Sequence, residues 1–269
     1  MRSTVPRIRG IAVVATSFAC ATVCCVLLLL VALFAKPGMP DSLALLETPQ
    51  IALPDYGGRF SDPVFGTPVQ RVTEPERELA AGVRCTGSAC RHRYSSTQAW
   101  NADQSLLVID KGCNDMCFLD GRTYRPLFVR KVRRDNDCKW HPLESDVMIC
   151  VRGDGVDIWR PAANRWTQVF DRGRYRRLEF GPYKGNPSDD GKRIALRALD
   201  ADGRPVAFAL DVSPVVKHAD IALTALEGVN RHVAISASGR YVYIAQTTGD
   251  GRETAYVFTI EGRMVQHWH

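Results

Sequence analysis

The chain has 269 residues, 45% of them apolar and 24% charged, the make-up of an ordinary globular protein that needs no metal to build its core. Its net charge of +6 includes Arg2, Arg7 and Arg9; from Lys36 onward 32 basic residues face 29 acidic ones. So slight an excess excludes the concentrated basic face that nucleic-acid binding needs, and no nucleic-acid partner is expected.

Residues 1–10 form a short basic N-terminus ahead of residues 11–35, IAVVATSFACATVCCVLLLLVALFA, which hold no charged side chain. As a helix this segment spans about 37 Å, enough to cross a hydrocarbon layer of about 30 Å with some tilt. The preceding arginines orient it N-in and C-out. A cleaved signal peptide is the competing reading, with Ala35 at the cut. The apolar run is longer than a usual signal core and Leu33 suits the −3 position poorly, so length favours an anchor. Either way the rest of the chain lies outside the cytoplasm. The expected location is the inner membrane, single-pass, with a periplasmic C-terminal domain. Cys20, Cys24 and Cys25 fall within the apolar run and suit it as small hydrophobes.

Residues 36–60 carry four prolines and three glycines and read as an extended linker. From residue 61 to 269 the chain shows short β-rich runs broken by Gly, Asp, Asn and Pro, with no amphipathic helix. Four segments share a form: a small turn, an apolar strand, a second strand and a further turn. They are WNADQSLLVID from Trp100, WHPLESDVMICV from Trp140, NPSDDGKRIALRA from Asn186 and AISASGRYVYIAQ from Ala234. Aligned on Ala102, Pro142, Ser188 and Ala237, they recur at spacings of 40, 46 and 49 residues, the period of a four-stranded propeller blade. In the last repeat Tyr241, Tyr243 and Ala245 alternate with Val242 and Ile244, so both faces suit burial between neighbouring blades. Asp120-Gly121 and Glu261-Gly262 read as short hairpin turns. The fold class is therefore all-β, with four propeller-like repeats in an open, small or truncated array. The run from Ser61 to Thr73 supplies an extra strand that could close the last blade.

Six cysteines lie in this region: Cys85, Cys90, Cys113, Cys117, Cys138 and Cys150. An even set outside the cytoplasm suits disulfides. Proximity suggests Cys85–Cys90 and Cys113–Cys117. Cys138 and Cys150 flank a predicted hairpin symmetrically about Glu144 and so face each other across it. Free buried thiols are the alternative. No CxxC pair exists, and no metal site is expected.

The phrases WNADQSLLVI, WHPLESDV, NPSDDGKRIAL and ISASGRYVYI, with their D-G and G-R hairpins, resemble the Tol-type and WD-like bacterial β-propellers, and the propellers of the oligogalacturonate-lyase type. The resemblance covers residues 61–269. Such propellers carry six to eight blades, so four repeats imply either a small open array or a partial one. They host binding modules and enzymes alike. In the lyase type the metal-binding histidines lie on later blades, which this chain lacks.

Candidate sites are weak. His92, Arg93 and Tyr94, with Arg91 beside them, combine a cation and two bases, as removal of a proton next to a sugar carboxylate requires. The simpler reading, a solvated loop with a stacking tyrosine, is favoured. His141 sits at a turn and suits a hydrogen bond to its own hairpin; His218 and His232 lie in loops, and His267 and His269 form a terminal His-x-His. Arg172, Arg174 and Arg176 alternate as if on one strand face, a stripe for an anionic glycan or lipid headgroup, or a charged strand edge. A second basic run comprises Arg130, Lys131, Arg133 and Arg134. No phosphate loop, metalloprotease or nucleophile-elbow motif is present. The expected function is a membrane-anchored, extracytoplasmic binding or scaffold module, held in the membrane through residues 11–35, with a protein or anionic glycan as partner and no cofactor. A polysaccharide lyase is the alternative, and a remnant of a longer propeller the third.

Overall fold

A computed structural model of the chain describes residues 49–268, except Asn114, residues 133–135 and residues 182–184. The apolar segment 11–35 lies outside the described residues, as do Arg133 and Arg134. Among the described residues no helix is long and apolar enough to cross a membrane.

The chain divides into two compact units at Arg71/Val72. In the first, β1 (Arg59–Ser61) and β2 (Pro68–Gln70) form an antiparallel hairpin, Arg59 opposite Gln70. The Asp62 carboxylate accepts the amides of Val64 and Phe65 and so shapes the turn. The two strands pair only with each other among the described strands. The run expected to close the last blade is thus a hairpin of its own.

The second unit is all-β and propeller-like. It opens with the ribbon β3 (Glu78–Ala80) and β4 (Val83–Arg84). Blade 1 comprises β5 (Leu106–Ile109), β6 (Met116–Asp120) and β7 (Pro126–Arg130), with Trp100 bridged to Leu107 in the innermost position. Blade 2 runs through β8 (Asp137–Trp140), β9 (Met148–Arg152), β10 (Gly155–Arg160) and β11 (Arg165–Asp171). Blade 3 comprises β12 (Arg177–Glu179), β13 (Arg193–Leu199), β14 (Pro205–Val212) and β15 (Val215–Lys217), and β16 (Ile221–Ala222) also pairs with β14. Blade 4 consists of β17 (Val229–Ile235), β18 (Tyr241–Thr247), β19 (Glu253–Thr259) and β20 (Met264–Trp268). Every pairing is antiparallel, and each blade is a meander.

The apolar residues lie between blades. Val108, Met116 and Phe118 of blade 1 pack on Cys138, Trp140, Met148 and Trp159 of blade 2. Ile149, Val151 and Val156 on the other face of blade 2 meet Ile194, Leu196 and Phe208 of blade 3. Ala195, Ala207 and Ala209, on the reverse of blade 3, meet Val233, Val242, Ile244 and Phe258 of blade 4. This is why β9, β13 and β14 are apolar on both faces. Among the described residues no further blade packs on the reverse of blade 4: Val242 and Ile244 are fully buried, whereas Tyr241 and Tyr243 are half-buried.

One device repeats at the first turn of each blade. A side-chain acceptor takes an amide further along the turn, and its own amide donates to a carbonyl beyond. Asn101 Oδ1 accepts from Leu106 N (2.9 Å), Ser188 Oγ from Arg193 N (3.1 Å) and Ser236 Oγ from Tyr241 N (3.1 Å). His141 performs this task with Nδ1, accepting from Leu143 N and Glu144 N at 3.2 and 3.0 Å. These residues set the structural spacings at 40, 47 and 48, one residue off the sequence alignment, which should have used Asp189 in the third repeat. The turns also tie blade to blade. Asn101 Nδ2 donates to Ser145 O (2.8 Å), and Asp189 N to Ala237 O (2.9 Å). The His141 ring lies so close to Gly191 that a Cβ there would stand 2.0 Å from Nε2.

The Asp120-Gly121 turn differs from expectation. It is not a two-residue turn: residues 121–125 connect β6 to β7, and the positive φ falls on Tyr124 (61°). Asp120 Oδ1 accepts from Arg122 N, Thr123 N and the Thr123 hydroxyl, which shapes the longer loop. Gly121 is required instead for close approach, since a Cβ would lie 2.0 Å from the Gln104 carbonyl.

Candidate functional site

The segment preceding blade 1 is fastened by Cys85–Cys90 and by bridges of Cys85 to Cys113 and Arg91 to Lys111. It then runs along the inner edges of the blades. Trp140 Nε1 donates to Ala99 O (3.3 Å) and Asn186 Nδ2 of blade 3 to Ser96 O (3.1 Å). This path carries His92, Arg93, Tyr94 and Thr97 to the inner side of the array.

There Arg93 meets two carboxylates, Asp110 just after β5 and Asp137 at the start of β8. Its Nε lies 3.3 Å from Asp110 Oδ2, and its Nη1 lies 3.5 Å from Asp137 Oδ1 and donates to Asn136 O at 3.5 Å. Lys139, on the innermost strand β8, is 3% exposed; its ammonium donates to the Thr97 hydroxyl (2.9 Å) and lies 3.4 Å from Asp137 Oδ1. Asp110 is almost wholly buried, and its Oδ1 has no hydrogen-bond partner among the described residues. Burial pushes the Asp110 carboxyl up, against the pull of Arg93 and, more weakly, Lys139. Two cations and two carboxylates thus neutralise one another. Their mutual attraction offsets the cost of removing them from water only while the set stays complete.

The predicted trio is therefore divided. Arg93 is committed to Asp110 and Asp137. Its neighbours His92, half-buried, and Tyr94, 45% exposed, receive no acid or base from that cluster. Arg172, Arg174 and Arg176 do not share a strand face. Residues 172–176 form the bend between β11 and β12, because Gly173 and a hydrogen bond from Tyr175 N to Arg172 O turn the chain there. Arg172 Nη1 donates to Arg176 O (2.9 Å) and Arg174 pairs with Asp220, while the Tyr175 hydroxyl (2.6 Å) and Lys217 (2.8 Å) hold the same carboxylate. The stripe is dispersed into separate ties.

All six cysteines pair as expected: Cys85–Cys90, Cys113–Cys117 and Cys138–Cys150, with Cα separations of 5.5, 6.1 and 4.0 Å. Cys138 and Cys150 are in direct register across β8 and β9. Among the described residues no three metal-ligating side chains converge; His267 stacks on Tyr256.

One cluster has no sequence signal. His218 Nε2 lies 3.1 Å from Asp211 Oδ2, and Arg193 grips the same carboxylate with Nε and Nη2 while Nη1 donates to Gly239 O (2.7 Å). The Arg193 guanidinium, helped by His218, holds the Asp211 carboxyl below its usual range. This joins blade 3 to the turn of blade 4. Only knowledge that β13 pairs with β14 would have revealed it.

No family model and no curated protein sequence matches the chain. Solved structures do. The chain is similar to an oligogalacturonate lyase in complex with manganese (14% identity, 78% of this chain and 58% of that one, TM-score 0.52). It is also similar to TolB from Acinetobacter baumannii (14% identity, 77% and 46%, TM-score 0.49). The chain spans about half the length of these structures; the likeness to the lyase shows a propeller-type fold and nothing finer.

Proposed function

We propose that the chain is a membrane-tethered, extracytoplasmic propeller module that binds rather than catalyses. The observation that carries this is the self-neutralised cluster of Arg93, Asp110, Asp137 and Lys139. A lyase needs a free cation for the substrate carboxylate beside a tuned base; here the Arg93 guanidinium, between His92 and Tyr94, is bound by the protein's own carboxylates, and Arg91 Nη1 turns to the backbone carbonyls of His92 and Arg93. The tether and compartment are supported by the apolar run 11–35 behind three arginines and by the three cysteine pairs, which persist in oxidising compartments.

The test is to incubate the full chain with uronate-containing polysaccharides and follow the ultraviolet absorbance of the unsaturated product. No rise over an enzyme-free control is expected. A rise that His92→Ala abolishes would overturn the reading in favour of the lyase. For the compartment, a membrane-impermeant protease added to spheroplasts should digest the region after residue 60; full protection would place it on the other side.

A further inference from the structure

The stacking of blades leaves one sheet face without a counterpart. Val242, Ile244, Tyr256 and Phe258 of blade 4 turn towards blade 3, so the residues between them point the other way. In register across the sheet, that reverse face carries Ala234, Tyr241, Tyr243, Ala255, Val257 and Trp268. Tyr241, Tyr243 and Val257 are half-buried and Trp268 is 46% exposed. None of the six belongs to an apolar cluster among the described residues. The free face of blade 1, by contrast, is covered from within the chain. Leu79, Ala80 and Val83 of the β3–β4 ribbon pack there with Leu107, Ile109 and Leu119.

The two ends of the reverse face carry opposite charge among the described side chains. Arg240 precedes β18, with its guanidinium 5.7 Å from the centre of the Tyr241 ring. Glu253 opens β19 opposite Thr247, at the far end of β18. Both are exposed, and neither has an ion-pair partner among the described residues. Their charged neighbours cancel: Asp250 pairs with Arg252 at the Glu253 end, and Glu261 is offset by Arg263 at the Arg240 end. Six residues of strand hold the two ends about 20 Å apart.

We propose that a second copy of this chain covers blade 4, the two reverse faces packed about a twofold axis that crosses the strands. The blade-on-blade stacking that runs from blade 1 to blade 4 then continues across the interface. A head-to-tail assembly would need the free face of blade 1, which the ribbon occupies, so the same face must meet itself. Two twofold axes allow that. An axis along the strands sets Arg240 against the partner's Arg240. An axis across the strands makes β18 antiparallel to the partner's β18 and sets Arg240 beside the partner's Glu253, twice by symmetry. The charges select the second arrangement. An aromatic, uncharged centre with a charged rim is the make-up of a protein interface. A four-stranded face about 20 Å long and about 15 Å across lies at the low end for specific complexes, so the dimer is weak and reversible. This goes beyond the binding-module reading by naming a partner, and it stands or falls separately from the lyase and compartment tests.

The experiment is light scattering on the full, oxidised chain in detergent, reading the protein mass apart from the micelle over about 1 to 300 μM, the range of weak complexes. The mass should rise from one chain to two with concentration. Val257→Asp sets two carboxylates into the apolar contact and should weaken dimerisation by about tenfold or more. Arg240→Glu and Glu253→Arg should each weaken it by about threefold or more, and the two reversals together should restore it to within about twofold. Circular-dichroism melts establish that each variant is folded. Should Val257→Asp fail to fold, the exposed Arg240 and Glu253 set decides. Three results would overturn the proposal: the mass of a single chain across the whole range; a dimer unmoved by the charge reversals, which would place its contact elsewhere, such as residues 11–35; or single reversals whose loss the double variant does not restore, which would refute the antiparallel arrangement.

Discussion

Gly191→Ala tests the turn-to-turn linkage between blades. At Gly191 φ is +70°, and an added Cβ would stand 2.0 Å from His141 Nε2. The left-handed backbone costs an alanine about 1–2 kcal/mol. The clash forces the imidazole out, and the ring cannot leave without releasing the amides of Leu143 and Glu144. Two hydrogen bonds at about 0.5–1.5 kcal/mol each bring the total to about 2–5 kcal/mol. His141→Ala loses the same two bonds on its own. In the double variant they are lost once and the clash is absent, so the coupling should be about 1–3 kcal/mol in the compensating direction. Urea melts of the four oxidised proteins at pH 7.5, followed by circular dichroism, measure it. Additivity within about 0.5 kcal/mol would refute the linkage. A pH series adds an independent readout. Burial holds the His141 imidazole below its ordinary value of 6.5, against weaker upward pulls from Glu144 and Asp190. A depressed histidine contributes stability that is full above 6.5 and is lost as pH falls from there towards the folded value. His141→Asn, the acceptor arrangement that Asn101 provides in blade 1, should keep the turn and flatten the slope between pH 7 and 5. An unchanged slope would assign it to another group.

Oxidised protein should lose six hydrogens in mass relative to reduced protein, and peptide mapping should return the three pairs named above; a bond from Cys138 or Cys150 to any other cysteine would contradict the register of β8 and β9. Cys138→Ser with Cys150→Ser, which opens a loop 12 residues apart in sequence, should cost about 2–3 kcal/mol in chemical denaturation. Lys139→Met breaks the inner cluster and should cost about 2–4 kcal/mol, whereas Asp110→Asn, which removes a carboxylate that burial already disfavours, should cost less; the opposite ranking would refute the charge balance. In acid, Asp190 is held low by the Ser188 hydroxyl, Asp211 by Arg193, and Asp250 to about 2 by the Thr248 hydroxyl and then Arg252. Depressed carboxylates stabilise above their unfolded values and lose that contribution as they protonate. The melting temperature should therefore fall between about pH 4 and 2; a rise there would mean that raised groups such as Asp110 dominate.

The architecture was legible because blades are coded locally. An acceptor side chain, a turn and an alternating or doubly apolar strand all lie within about ten residues, so WNADQSLLVI and ISASGRYVYI carry their own instructions. Cys138 and Cys150 were readable for the same reason: a hairpin centred on Glu144 places them opposite each other whatever surrounds it. The arginine run 172–176 misled because alternation alone does not make a strand; Gly173 and the Tyr175–Arg172 hydrogen bond turn the backbone first. What only the tertiary structure decided depends on pieces brought together from separate strands. Arg93 finds Asp110 and Asp137, and Arg193 finds Asp211 and His218. Long-range proximity of charged and polar groups is set by how sheets stack, and sheet stacking is driven by apolar faces that carry no record of which polar side chains they will bring together.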